Sequence, residues 1–186
     1  SPWHSPHLPA PCSESLPEHN SIAENTDSFY QDKEHHLDLI LWRHAEAEDG
    51  IPDATRKLTE KGLKQAQKIA RWLEPKLPKD TRIIVSPATR TQQTISALTH
   101  HFETSEQVGT SATPHRVLNS IAWPEAEGTI LVVGHQPTLG KIASLLLKGD
   151  ESGFSVRKGS IWWFSSKQKD ERESIILRAV MTPEIL

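Results

Sequence analysis

The chain has 186 residues, 35% hydrophobic and 24% charged, with a formal net charge of −3 at pH 7. That length suits one domain. No apolar run approaches the roughly 18 residues of a membrane span, and the bulk charge gives no basic footprint for nucleic acid. The single cysteine, Cys12, excludes an intrachain disulfide framework and a cysteine-based zinc site.

Residues 1–36 carry one lysine against six acids, five of the 13 prolines and no glycine. They read as a disordered arm, a linker ahead of a domain over residues 37–186. The arm lacks the basic start and apolar stretch of a secretory signal. Its His4, His7, His35 and His36 have no scaffold to hold a metal at fixed geometry. From Leu37 the pattern changes. Residues 37–42 form an apolar run of strand length. Leu58 and Thr59 introduce a helix with Leu63, Ala66, Ile69, Ala70 and Leu73 on one face, ended before Pro75. Residues 82–85 are a second strand. Ser86 and Pro87 follow as N-cap and first helical position of a helix that turns Ile95, Leu98 and Phe102 inward. Residues 116–118 are predicted as a third strand, residues 129–133 as a fourth, and residues 139–147 as the helix after it. Residues 159–164 and 174–180 suggest a closing antiparallel hairpin. Strands alternating with helices imply an α/β fold, a mostly parallel sheet covered by helices on both faces.

In such sheets the ligand sits at the carboxyl ends of the strands. Arg43-His44 follows the first strand, Ser86-Pro87-Ala88-Thr89-Arg90 the second, and Gly134-His135-Gln136-Pro137 the fourth. Arginine offers a planar fork that matches phosphate oxygens, and neutral histidine a nitrogen nucleophile or proton carrier. Taken singly, each has a plain alternative: a solvated loop for Arg43-His44, a helix cap for Ser86, a satisfied, partly buried side chain for His135. Their convergence on one sheet edge points to a metal-free phosphate site. Gly134 to Lys141 imitates a nucleotide P-loop but has five residues between its glycines, and Ile142 where a hydroxyl would hold magnesium.

Four blocks, Leu41-Trp42-Arg43-His44-Ala45-Glu46-Ala47, Arg56-Lys57-Leu58-Thr59-Glu60-Lys61-Gly62, Val85-Ser86-Pro87-Ala88-Thr89-Arg90-Thr91-Gln92-Gln93-Thr94 and Val132-Val133-Gly134-His135-Gln136-Pro137, together resemble the histidine phosphatase superfamily. Within it they most resemble the small SixA-type phosphohistidine phosphatases. The resemblance implies a three-layer α/β/α fold, phosphoglycerate mutase-like, with a mostly parallel sheet, a C-terminal antiparallel hairpin and no large helical lid. It implies His44 as nucleophile, Arg43 and Arg90 as phosphoryl ligands, His135 as the second pocket histidine and Arg56 as a further pocket arginine. It implies no metal and no other cofactor. Two departures stand out. Ala45 replaces the usual glycine of Arg-His-Gly, and no acid occupies the place where larger relatives carry a proton donor; Asn119 stands there, with Glu125 and Glu127 beyond, and Glu46 and Glu48 nearer His44. Only 14 residues separate His44 from Thr59, too few for a lid. The expected function is hydrolysis of phosphohistidine on a phosphorylated protein in the cytoplasm, through a phospho-His44 intermediate. The alternatives are a broad phosphomonoesterase acting on small phosphate esters and, against the complete residue set, a non-catalytic phospho-ligand binder. Nothing in the sequence bears on oligomeric state.

Overall fold

A computed structural model describes residues 35–186; the expected arm lies outside them except for His35 and His36, which open the first strand. In chain order the elements are β1 (His35–Arg43), α1 (Glu60–Leu73), β2 (Arg82–Val85), α2 (Thr89–Ser96), β3 (Glu103–Thr104), α3 (Pro114–Ser120), β4 (Gly128–Gly134), α4 (Thr138–Lys148), β5 (Ile161–Lys169) and β6 (Arg172–Met181), with short 3-10 turns between some of them. They build one six-stranded sheet in the order β3-β2-β4-β1-β5-β6. The first four strands of that order run parallel, and β5 and β6 are antiparallel additions. Among the described residues, no helix is long and apolar enough to cross a membrane.

β1 reads as a continuous apolar run because it lies between β4 and β5 and is covered on both faces. Its side chains alternate between two cores. Leu37, Leu39 and Leu41 pack with Val117, Leu139, Ile142 and Phe164, while Ile40 and Trp42 pack with Ile69, Leu73, Val85 and Ile95. Asp38, buried in the same run, is fully partnered: its carboxylate accepts from Trp163 Nε1 at 3.1 Å and Arg178 Nη1 at 2.7 Å, and also from Ser165 and His36.

Four expectations fail locally: α2 ends at Ser96, so Leu98 and Phe102 pack inward from the segment after it and not from the helix. Residues 116–118 belong to α3, not a strand: Thr113 Oγ1 accepts from the Arg116 amide at 3.2 Å and Pro114 occupies the first turn, a helix start that outweighs three apolar residues. The third strand of the sheet is instead the two-residue β3. Ser86 does not cap α2, whose N-cap is Ala88. On α1, Leu63 is 43% exposed and Gly62 takes the inward place, because a Cβ there would lie 2.0 Å from the Glu46 carbonyl oxygen.

Candidate active site

Register places the strand ends together. Arg43 of β1 pairs with Gly134 of β4, so His44 and His135 each stand one residue past the paired ends. Val85 pairs with Val133, which sets Ser86 and the start of α2 at the same edge. The His44 amide donates to the Gly134 carbonyl at 3.1 Å and the Gly159 amide to the His44 carbonyl at 3.0 Å. Arg43, His44, Arg56, Arg90 and His135 all line one cavity of about 280 Å³, with Asp49, Asp53, Lys158 and Gln136 among its other walls.

The two imidazoles lie with ring centroids 5.4 Å apart. His44 Nδ1 is 2.7 Å from the Ala45 carbonyl oxygen. A carbonyl only accepts, so Nδ1 carries the proton and Nε2 keeps its lone pair. Burial pushes the His44 pKa down to about 4, and Arg90, Arg43 and Arg56 add to the effect against the raising influence of that hydrogen bond. His135 is pushed to about 3, first by burial and then by Arg90. Arg90 Nη2 lies 3.4 Å from His135 Nδ1; a guanidinium only donates, so Nδ1 accepts and His135 Nε2–H donates to Ser86 Oγ at 2.7 Å. Both histidines are therefore neutral at pH 7, one offering a bare nitrogen in a cationic pocket. Such a nitrogen can attack phosphorus while the arginines hold anionic oxygens.

Arg43 is anchored by Nη1 to the Val156 carbonyl at 2.8 Å. Arg90 is 4% exposed. The buried Nε of each has no partner among the described residues. Arg90 Nη1 donates to the Asp53 carbonyl at 2.9 Å and Nη2 to its Oδ2 at 3.1 Å. Arg56 Nε donates to Asp53 Oδ1 at 3.0 Å and its Nη1 to the Glu48 carbonyl at 3.0 Å. The Arg56 hydrogen bond, followed by Arg90, holds the Asp53 carboxyl below its usual range. Ala45, in the glycine place, is fully buried with Leu58 and Ala66, and its amide donates to Thr94 Oγ1 at 3.1 Å. Its φ is not positive, so a Cβ is accommodated without strain.

The remaining candidate acids are elsewhere. Asn119 faces a separate cleft of about 830 Å³ beside Arg82 and Glu103, which pair with each other at 2.8 Å. Glu127 bonds His35 at 3.1 Å, at the end of the sheet opposite His135, and Glu46 Oε2 accepts from Thr59 Oγ1 at 2.7 Å. Neither Glu48 nor Glu125 lines the cavity. Sequence reasoning missed Asp53, although it stands three residues before Arg56 in the same loop. It also missed Lys158, which no local pattern marks, and took Ser86 for a cap.

The model of the histidine phosphatase superfamily (branch 1) matches residues 39–113. An uncharacterized protein of Mycobacterium tuberculosis is 33% identical over 122 residues, 62% of this chain and 77% of that protein. The phosphohistidine phosphatase SixA of Escherichia coli is 25% identical over 123 residues, 61% of this chain and 76% of its own length. Among solved structures, the protein histidine phosphatase SixA complexed with tungstate has a TM-score of 0.66 at 22% identity, covering 80% of this chain and 98% of that one. A mutant phosphoserine phosphatase of Entamoeba histolytica in complex with phosphoserine has 0.59 at 17%, covering 81% and 99%. At these identities the two structures bear on fold alone. By its family match and its relatives, the chain belongs to the histidine phosphatase superfamily, branch 1, and is a phosphatase.

Proposed function

We propose that this phosphatase acts on phosphohistidine displayed by a protein, with His44 as nucleophile, Arg43, Arg56 and Arg90 as phosphoryl ligands and His135 as the second pocket histidine, in a domain over residues 37–186. His44 Nε2 attacks phosphorus in line as the bond to the leaving group breaks, and the arginines take up the charge on the equatorial oxygens. Water then attacks phospho-His44 and releases phosphate. The likeness to the Escherichia coli protein supports this substrate class.

The observation that carries the choice of leaving group is the state of Asp53. It lines the cavity and its carboxyl is held ionised by Arg56 and Arg90, so it has no proton to give. An alkoxide leaving from a phosphate ester needs one, and general acid catalysis of that kind is worth about 10²–10⁴-fold. Phosphohistidine whose other ring nitrogen already bears a proton releases neutral imidazole, which is far less basic and departs without such help. A second reading, a broad phosphomonoesterase, draws on the fold shared with the phosphoserine phosphatase.

A series of phosphate esters with rising leaving-group pKa, run beside phosphohistidine, separates the two. Phosphohistidine should turn over well, aryl phosphates of acidic phenols moderately and alkyl phosphates poorly. A flat series, with alkyl phosphates cleaved as fast as phosphohistidine, contradicts the proposal.

A further inference from the structure

Asp53 reaches the cavity from the 3-10 turn Asp53–Thr55 and is fixed there by its neighbours. Arg56 Nε donates to Oδ1 at 3.0 Å and Arg90 Nη2 to Oδ2 at 3.1 Å, while Arg90 Nη1 holds the backbone carbonyl at 2.9 Å. The Nη2 bound to Oδ2 also lies 3.4 Å from His135 Nδ1, so one guanidinium nitrogen separates the carboxylate from His135. A carboxylate oxygen accepts about two hydrogen bonds. Each oxygen of Asp53 has one of these donors, and the side chain remains 58% exposed. It thus keeps accepting capacity while lining the cavity.

An ionised acceptor beside a phosphoryl site has no proton to give a departing alkoxide. It suits a leaving group that carries an N–H. We propose that Asp53 is the specificity-determining residue of this site, accepting a hydrogen bond from the free ring N–H of phosphohistidine and so selecting it over phosphate esters; this rests on the substrate reading above. As His44 Nε2 forms its bond to phosphorus, the substrate P–N bond breaks and its electron pair goes to the departing ring nitrogen. With a proton already on the other ring nitrogen, the group that leaves is neutral imidazole. Without that proton it is an imidazolide anion, a much stronger base. A carboxylate on the N–H favours the protonated ring near neutral pH.

The step then passes the phosphoryl group from one N–H-bearing ring to another and moves no proton. The substrate ring loses its positive charge and the His44 ring gains it. Asp53 does for the substrate ring what the Ala45 carbonyl, 2.7 Å from Nδ1, does for His44. Both acceptors hold the N–H of the nitrogen that does not bond phosphorus.

The competing role for Asp53 is to orient Arg90 only, and the two roles differ in one ratio. In the folded protein, kcat/KM for free phosphohistidine is compared with that for an aryl phosphate, in wild type, Asp53→Asn and Asp53→Glu. The phosphohistidine-to-aryl ratio should fall about 10- to 100-fold in Asp53→Asn, the value of one hydrogen bond to a charged group. Asp53→Glu should restore part of it. Asp53→Ser supplies a second neutral variant should the asparagine disturb the loop. Equal loss on both substrates, or an unchanged ratio, overturns the proposal. A wild-type protein that turns over aryl phosphate but not phosphohistidine instead strikes the substrate reading, and the specificity role with it.

Discussion

Arg90 enters the site from the first turn of α2, with its Nε buried and without a partner among the described residues, and its two terminal nitrogens shared between Asp53 and His135. A guanidinium so fixed presents charge without reorganising as the reaction proceeds. Arg90→Ala should lower kcat/KM about 10²–10³-fold, the scale of one lost electrostatic contact in a transition state. Arg90→Lys should recover only part, since a point charge cannot reproduce the fork. Steady-state kinetics on an aryl phosphate decide it, and a folded Arg90→Ala protein at the wild-type rate contradicts the clamp. Arg43, His44, Arg90 and His135 were legible in the sequence because each ends its strand or follows it within a few residues, so locating strands located them. Asp53 and Lys158 were not. Asp53 owes its place to Arg90, 37 residues away, and Ser86 owes its role to His135, 49 residues away; pairings at that range leave no local pattern.

At the scale of elements, the long and strongly patterned pieces could be read directly: β1, β4, α1, α4 and the β5–β6 hairpin. The short ones could not. α3 presents Val117 and Leu118 inward from a seven-residue helix, and three apolar-flanked residues fit a strand equally well. β3 is two exposed residues whose pairing with β2 has no hydrophobic signature. The inward face of α1 also departs from simple periodicity, because the helix passes close to the loop after β1 and only Gly62 fits beneath the Glu46 carbonyl. The same junction holds the Thr59 cap, whose Oγ1 accepts from the Gly62 amide at 3.0 Å and donates to Glu46 Oε2 at 2.7 Å. Gly62→Ala must push α1 off this loop. It should cost about 1–3 kcal/mol of stability, the range for overpacking, measured by urea unfolding. An unchanged midpoint contradicts the contact.

Over the whole molecule, the strand order β3-β2-β4-β1-β5-β6 brings two chain segments some ninety residues apart into register at one edge and buries both histidines there. That burial links the site to stability. His44 and His135 titrate near 4 and 3 in the fold and near 6.5 when unfolded. Between those values the unfolded chain binds protons that the native state does not, so stability falls as pH drops from about 6.5 toward 4. Their contribution is fully present above pH 6.5. The melting temperature should therefore decline over that window, and less steeply in His135→Gln than in wild type. Parallel declines in the two proteins contradict buried neutral histidines.

His44, as proposed, carries the phosphoryl group between substrate and water. With the proton on Nδ1 and a lone pair on Nε2, its neutral ring would carry that group as a phosphoramidate. The direct measurement is rapid quenching of the wild-type protein during turnover of labelled phosphohistidine, followed by mapping of the phosphorylated peptide. The label should sit on His44, labile to acid and stable to base, and should be absent from a folded, inactive His44→Ala protein. Label on another residue, or a folded His44→Ala protein that turns over at the wild-type rate, contradicts it.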